Sequence, residues 1–283
     1  MSSAALTKQN LMNKQKNEKN NNLVEMVDQT GVETGVEMIL NQNIALLPKS
    51  VATDRIKASA GFYISNRKDL MGLDKIGKLE MLYGVLKEAM LNLEAGVDYD
   101  IVPFKGKPTV VRGKNGWFKI VDLIKPDEIV RFTNNVVTAG DDFYFNPATE
   151  ELTHVLNGPR GQKFEEIEGA YAYVKFKNGF EKTVYLSKED LTLIRDMSPS
   201  GKSNFSPWQT NAVKMCKTKV VKELAKELCT LWSGRLTSVL TRIVESDEVS
   251  IKSIDEKGNI VNDDSVYKEP ITVEAEEVSI DEL

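Results

Sequence analysis

"SNFSPWQTNAVKMCKTKVVKELAKEL", residues 203–228, opens with Ser206 placed to cap a helix, Pro207 at its first position and Gln209 at its third. Proline's missing N–H costs nothing at that position, and a Ser-x-x-Gln box satisfies donors of the first turn, so the spacing predicts one helix running from 207. On a wheel of about 100° per residue, Val213, Cys216, Val220, Leu224, Leu228 and Leu231 cover one side. Lys219, Lys222 and Lys226 cluster opposite, with Lys214 near the start. Lys217 falls between Leu224 and Leu228, so either its stem runs along the core to bring its charge to a groove or local burial strains that charge. The segment reads as a core-packed helix with a cationic outer surface.

A matching partner for such a helix lies upstream. "AYAYVKFK" (170–177), Asn178-Gly179 and "FEKTVYLS" (180–187) read as a β-hairpin, the Asn-Gly pair supplying the positive φ angles of a tight primed turn. Tyr171, Tyr173, Lys175 and Lys177 share one strand parity; Ala170, Ala172, Val174 and Phe176 share the other. One face therefore packs on a core, and the other presents aromatic and cationic groups. The chain therefore reads as a mixed class of helices and short antiparallel strands.

The rest of the chain fits this class. In "DKIGKLEMLYGVLKEAMLNL" (74–93), Ile76, Leu79, Leu82, Leu86, Met90 and Leu93 recur at three and four, the period of an amphipathic helix that Gly96 would terminate. "YDIVPFKGKPTVVRGKNG" (99–116) reads as extended pieces joined by glycine turns. "WFKIVDLI" (117–124) puts Trp117, Ile120, Val121 and Ile124 on one helical side, although its length also suits a strand. "EIVRFTNNVV", "DFYFN" and "ELTHVL" are β-prone and separated by turn residues, and Ser187 is placed to cap a short helix, "KEDLTLIRD".

Residues 1–30 are polar and amide-rich, with little to bury, and are expected to be a flexible segment; 31–244 form the core, and 245–283 an acidic flexible tail. Charge is divided along the same line. Residues 245–283 hold 13 acidic and 3 basic residues, a net of −10 against −5 for the whole chain, which leaves +5 for residues 1–244. A basic body attracts polyanions, and an acidic tail can screen it or recruit something basic. No run of 18 apolar residues and no apolar leader occurs, so a reducing cytoplasm is the expected compartment and no membrane is involved. Cys216 and Cys229 lie thirteen residues apart on one expected helix, about 20 Å, too far to bridge.

Catalytic chemistry is poorly supported. Gly201-Lys202-Ser203 has the end of a phosphate-binding loop, but Asp196 stands where its first glycine belongs, so no ATP is expected. His154 is the only histidine and reads as structural. Asp141-Asp142 and Glu165-Glu166 point alternately to opposite strand faces; they offer at most a loosely held Mg²⁺ assisting nucleic-acid binding, and a metal-dependent nuclease is the weakest reading. A cationic groove binds phosphates with release of counterions, and Tyr171, Tyr173, Phe143, Tyr144 and Trp208 are candidates for stacking on bases, with core packing as the alternative for each.

These blocks together, "MLNLEAG", "YDIVPFKGK", "GWFKIVDLI", "DDFYF", "GAYAYVKFKNG" and above all "SPWQTNAVKMCKTKVVKELAKEL", resemble in order and spacing the RecT family of phage recombination proteins over residues 30–240. The resemblance implies ATP-independent annealing of complementary single strands, with the duplex held in an oligomeric ring or helical filament. It implies an α+β fold, helices packed with a small curved antiparallel sheet and a β-hairpin that form a groove for DNA, together with a companion 5′ to 3′ exonuclease and contact of the C-terminal region with the host single-strand-binding protein. DNA or subunit contacts carry over onto Lys217 and Thr218, onto the hairpin's Tyr171, Tyr173, Lys175 and Lys177, and onto Trp117 and Lys119 with the preceding Arg112. The family's more regular Gly-Tyr-Lys before the central helix is "RGKNGWFK" here. A passive single-strand binder, which protects DNA without speeding pairing, shares most of these features.

Overall fold

The computed structural model describes residues 31–47, 53–104, 106–157, 162–198, 201, 206–232 and 244. The segments expected to be flexible, 1–30 and 245–283, lie outside them, as does Lys202-Ser203. Four helices lead: α1 (Val32–Gln42), α2 (Thr53–Ser65), the single turn α3 (Lys68–Met71) and α4 (Lys75–Met90). Asp74 caps α4 by accepting from the Gly77 N–H at 2.7 Å. Its expected stripe is buried apart from Ile76, which is half-buried, and Met81, Val85 and Ala89 are buried as well, because α1 and α2 pack on one side of it and a strand on another. Gly96 does not end this helix. The chain turns earlier, at Asn92 with φ 56°, where Asn92 N–H donates to Ala89 O and Leu93 N–H to Glu88 O, the paired bonds of a Schellman motif.

Strands β1 (Tyr99–Phe104) and β2 (Lys107–Arg112) form an antiparallel hairpin, and the ambiguous segment after them is a helix, α5 (Lys114–Ile124). Trp117, Ile120, Val121 and Ile124 are its buried side, as their spacing predicts. A three-stranded antiparallel sheet follows in the order β3 (Ile129–Thr138), β6 (Ile167–Phe176), β7 (Glu181–Ser187). A second hairpin, β4 (Asp142–Asn146) and β5 (Glu151–Val155), lies between β3 and β6 in sequence. Ala170, Ala172, Val174 and Phe176 are buried, so the strand parity is as read.

The β6–β7 turn differs from the primed form. Gly179 has positive φ (83°) and Asn178 does not; Gly179 N–H donates to Phe176 O, and Phe176 N–H to Phe180 O. This is a three-residue loop with a glycine bulge, in which one left-handed residue suffices. Asn178 Oδ1 accepts from the Phe180 N–H and holds the loop.

Ser187 caps α6 (Lys188–Met197) with a full capping box. The expected single helix from 207 is two: α7 (Pro207–Thr210), one turn, and α8 (Ala212–Leu231). Ser206 does cap, but its Oγ accepts from Trp208 N–H, and at Asn211 (φ −144°, ψ 45°) the chain leaves helical geometry before starting again. Helix α8 packs across β6, β7 and β3 and along α5. Its side chains join those of α4, α5 and the sheet in one hydrophobic core. Leu231, expected on the packed side, is exposed in the last turn of the helix. Among the described residues no helix is long and apolar enough to cross a membrane.

Candidate nucleic-acid interface

The break at Asn211 aims the start of α8 at a cleft of about 620 Å³. Its walls are the α7–α8 junction with Lys214 and Lys217, the 96–100 loop, the head of α5 with Lys114 and Asn115, and Gln162. The α5 wall stands close because Gly116 has no side chain: a Cβ there would sit 2.4 Å from Asp98 O. Gly113 N–H donates to that same carbonyl at 2.8 Å, so the head of α5 is fixed to the loop. Neither α5 nor α8 has a side-chain cap. The first-turn N–H groups of both helices lack intrahelical acceptors, and the positive ends of two helix dipoles adjoin the three lysines.

Two carboxylates also reach this cleft. Asp98 is buried, accepts from the Glu94 N–H at 2.9 Å, and is paired with Lys119 at 2.6 Å. Asp100, which is exposed, accepts from the Tyr63 hydroxyl at 3.3 Å. Lys119, expected as a DNA contact, thus neutralises the wall of the cleft. Lys214 is exposed and Lys217 is half-buried, and both line the cleft.

Other expected contacts are held elsewhere. Arg112 is buried against Glu88, both bonds 2.8 Å, and its guanidinium lies 5.0 Å from the Trp117 ring centroid. Trp117, 4% exposed, and Trp208, 1% exposed, are core residues; Trp208 donates to Ser198 Oγ and meets Phe164 edge to face. Tyr171 is covered by the β4–β5 hairpin, stacked on Phe143 and bonded to His154 Nδ1. These four side chains are therefore corrected from DNA contacts to packing, since none presents a face on which a base can stack.

The remaining hairpin residues are partly engaged. Tyr173 donates to Glu181, which also pairs with Lys175, while Lys177 is exposed at the turn. The Tyr173 hydroxyl is pushed up to about 12 by burial and by the Glu181 carboxylate. The turn packs Phe176 and Phe180 against Trp232, beyond the last residue of α8. Lys214 stands some eighteen residues before Trp232, about 27 Å along the helix axis. Hairpin lysines and cleft lysines therefore sit at opposite ends of α8 and do not line one short channel. Lys219 and Lys222 are half-buried on the flank of α8 between these ends, as is Thr218, whose hydroxyl donates to Lys214 O. Lys226 lies beside Lys182 and Glu227 in a shallow depression.

Of the carboxylate pairs considered for a metal, Asp141 and Glu166 accept hydrogen bonds from the backbone, and Asp142 accepts from the Asn157 side chain. Burial alone would raise Asp141, but hydrogen bonds from Thr138 N–H and Oγ1, from His154 and from Asn157 N–H hold it well below the usual carboxylate range. Glu166 accepts from Gln162 and Lys163 N–H groups, which lower it likewise. Among the described residues no group of three or more His, Cys, Asp or Glu is placed to hold a metal ion.

Sequence reasoning missed Lys114, Asn115 and Gln162. Lys114 lay in "RGKNG", whose glycines read as a turn and not as the first residues of a helix. No curated protein matches the chain in sequence. Residues 73–261, which include β1 to β7, α5 to α8 and the lysines of the cleft, match the RecT family, and the chain belongs to that family.

Proposed function

We propose that this protein is an ATP-independent single-stranded DNA annealing protein that binds single strands, pairs them, and holds the duplex in an oligomer. Membership of the RecT family is the observation that carries the reading. The cleft supports it, with Lys114, Lys214 and Lys217 gathered beside two uncapped helix N-termini where a phosphate backbone would gain most. Lys219, Lys222 and Lys226 extend positive charge along α8, and Lys175 and Lys177 provide a second cationic point at its far end. Residues 31–244 then act as the DNA-binding and oligomerising core.

The mechanism is electrostatic and non-covalent. Neutralising two like-charged backbones lowers their repulsion, and contacts confined to phosphate and sugar leave base edges free to test complementarity. Many subunits on one strand raise the effective concentration of sites for the second. Specificity comes from Watson–Crick pairing. In this reading the protein works in a bacterial cytoplasm beside a 5′ to 3′ exonuclease and the host single-strand-binding protein.

The test is annealing of dye-labelled complementary oligonucleotides with and without ATP and Mg²⁺, alongside electron micrographs of the DNA-bound protein. Acceleration without nucleotide, with multi-subunit particles on DNA, is the expected result. Lys217→Ala combined with Lys214→Ala should slow annealing by about tenfold at low salt. Tight binding of single strands with no acceleration would identify a passive binder instead, and Mg²⁺-dependent shortening of the strands a nuclease.

A further inference from the structure

The β1–β2 hairpin has two unlike faces. Tyr99, Ile101, Val110 and Arg112 point inward, where Val110 meets α4 so closely that a Cβ on Gly84 would sit 3.0 Å from its Cγ2. The outward rows are Asp100 with Val111, Val102 with Thr109, and Phe104 with Lys107. Val111, Val102 and Phe104 are 49%, 42% and 41% exposed, so three apolar side chains lie in consecutive rows of one solvent-facing surface. Rows of an antiparallel pair recur about every 6.8 Å, and the surface therefore runs about 14 Å from Asp100 to Phe104.

This surface is braced from behind and from the side. Arg112 is bound to Glu88 on the inner face. At the edge of β1, Ile101 N–H donates to the Tyr63 hydroxyl at 3.0 Å, and Arg67 donates to Ile101 O at 3.2 Å and to the same hydroxyl at 2.7 Å. Those bonds occupy the middle of the edge, and the facing pair Pro103 and Pro108 lacks the N–H groups an added strand would need. Strand addition by a peptide or a second copy is thus disfavoured, and recognition has to use the face.

The face is continuous with the cleft. Asp100, in its first row, lines the cleft together with Lys114, Lys214 and Lys217, and Lys107 stands in the last row. Cations at both ends with apolar side chains between them suit a strand whose phosphates are charged and whose bases offer apolar faces. The Asp100 carboxylate repels phosphate, which keeps the backbone on the lysine wall and turns the bases toward the hairpin. At about 3.4 Å per stacked nucleotide, the surface matches roughly four bases. Resting on the reading that the cleft takes nucleic-acid phosphate, we infer that the outer face of the β1–β2 hairpin carries the bases of the bound strand, through Val111, Val102 and Phe104. Contact with base faces is tolerant of sequence and leaves the pairing edges open to a second strand.

Binding of labelled oligothymidylate and of an abasic strand of the same length, measured on the full chain over a salt series, tests this. A variant carrying Val102→Thr, Phe104→Ser and Val111→Thr leaves the charge unchanged, and two of its changes are isosteric, β-branched replacements at exposed strand positions. It should bind oligothymidylate about three- to tenfold more weakly at every salt concentration, and the abasic strand as the unaltered protein does. Phe104→Leu alone should lose less than Phe104→Ser alone. Undiminished affinity of the triple variant for oligothymidylate, or an equal loss on both strands, would overturn the proposal. Failure of the cleft reading looks different: Lys214→Ala and Lys217→Ala would then leave the salt dependence on both strands unchanged.

Discussion

Arg112 and Glu88 face each other inside the protein as a bidentate pair, with Nε and Nη2 each 2.8 Å from a carboxylate oxygen and the Glu88 side chain wholly enclosed. The pair ties β2 to α4, and the guanidinium covers the Trp117 ring, so it fixes the element from which the head of α5 emerges. Removing one partner strands the other charge in the core. Arg112→Ala should therefore destabilise the fold by about 3–5 kcal/mol in denaturant unfolding, whereas replacing both residues with apolar ones of similar size should cost much less. Single-strand affinity per folded molecule should stay near that of the unaltered protein. A selective loss of DNA binding at unchanged stability would return Arg112 to the interface.

The hairpin over Tyr171 gives a pH signature. Hydrogen bonds hold Asp141 below its unfolded value, so the stability it adds is fully present above about pH 4 and is lost as pH falls further. Thermal unfolding followed between about pH 6 and pH 3 should show a steeper fall in Tm for the unaltered protein than for Asp141→Asn. The variant should already be weaker at pH 7, by about 1–3 kcal/mol, since its amide keeps one acceptor oxygen and loses the partner of either Thr138 or Asn157. Parallel pH profiles for the two proteins would show that Asp141 is not the group responsible.

Cys216 faces the core from α8, and burial pushes its thiol up to about 12. At neutral pH it is therefore a protonated, enclosed side chain, and the thiolate that reacts with alkylating reagents is scarce. Iodoacetamide at pH 8 should leave Cys216 unmodified in the folded protein and modify it fully in denaturant, as read by mass spectrometry of tryptic peptides. Rapid native labelling would mean that α8 separates from the sheet, which the packing of Cys216, Val220 and Leu224 does not allow.

The particular elements show what the chain reveals locally. The burial of Leu79, Leu82 and Leu86 and the parity of β6 were legible because each follows from a short-range period that any single core imposes. Lys217 stood out for the same reason, as a cation falling between two apolar positions of the stripe. The break at Asn211 was not, since capping signals at Ser206 to Gln209 suit a long helix as well as one turn. Nor was the cleft, because it depends on the 96–100 loop, the head of α5 and the head of α8 meeting across more than a hundred residues. Aromatic residues misled for a chemical reason: a ring suited to stacking on a base is equally suited to a core. Only the covering of Tyr171 by β4–β5 and of Trp208 by Phe164 decides between them.

Salt dependence separates the two cationic ends of α8. For single strands, the logarithm of affinity falls with the logarithm of salt at about 0.7 per phosphate neutralised. If the cleft holds the backbone, Lys217→Ala and Lys114→Ala should each lower affinity at low salt and reduce that slope by about 0.7. Lys177→Ala, at the hairpin turn beside the far end of α8, tests the second point independently. A short oligonucleotide of about three nucleotides spans one end only, so it should respond to the cleft substitutions and ignore Lys177→Ala; a longer strand should respond to both. Equal slopes for Lys217→Ala and the unaltered protein on every length would place the phosphates away from the head of α8, and the arrangement of Lys114, Lys214 and Lys217 would then need another ligand.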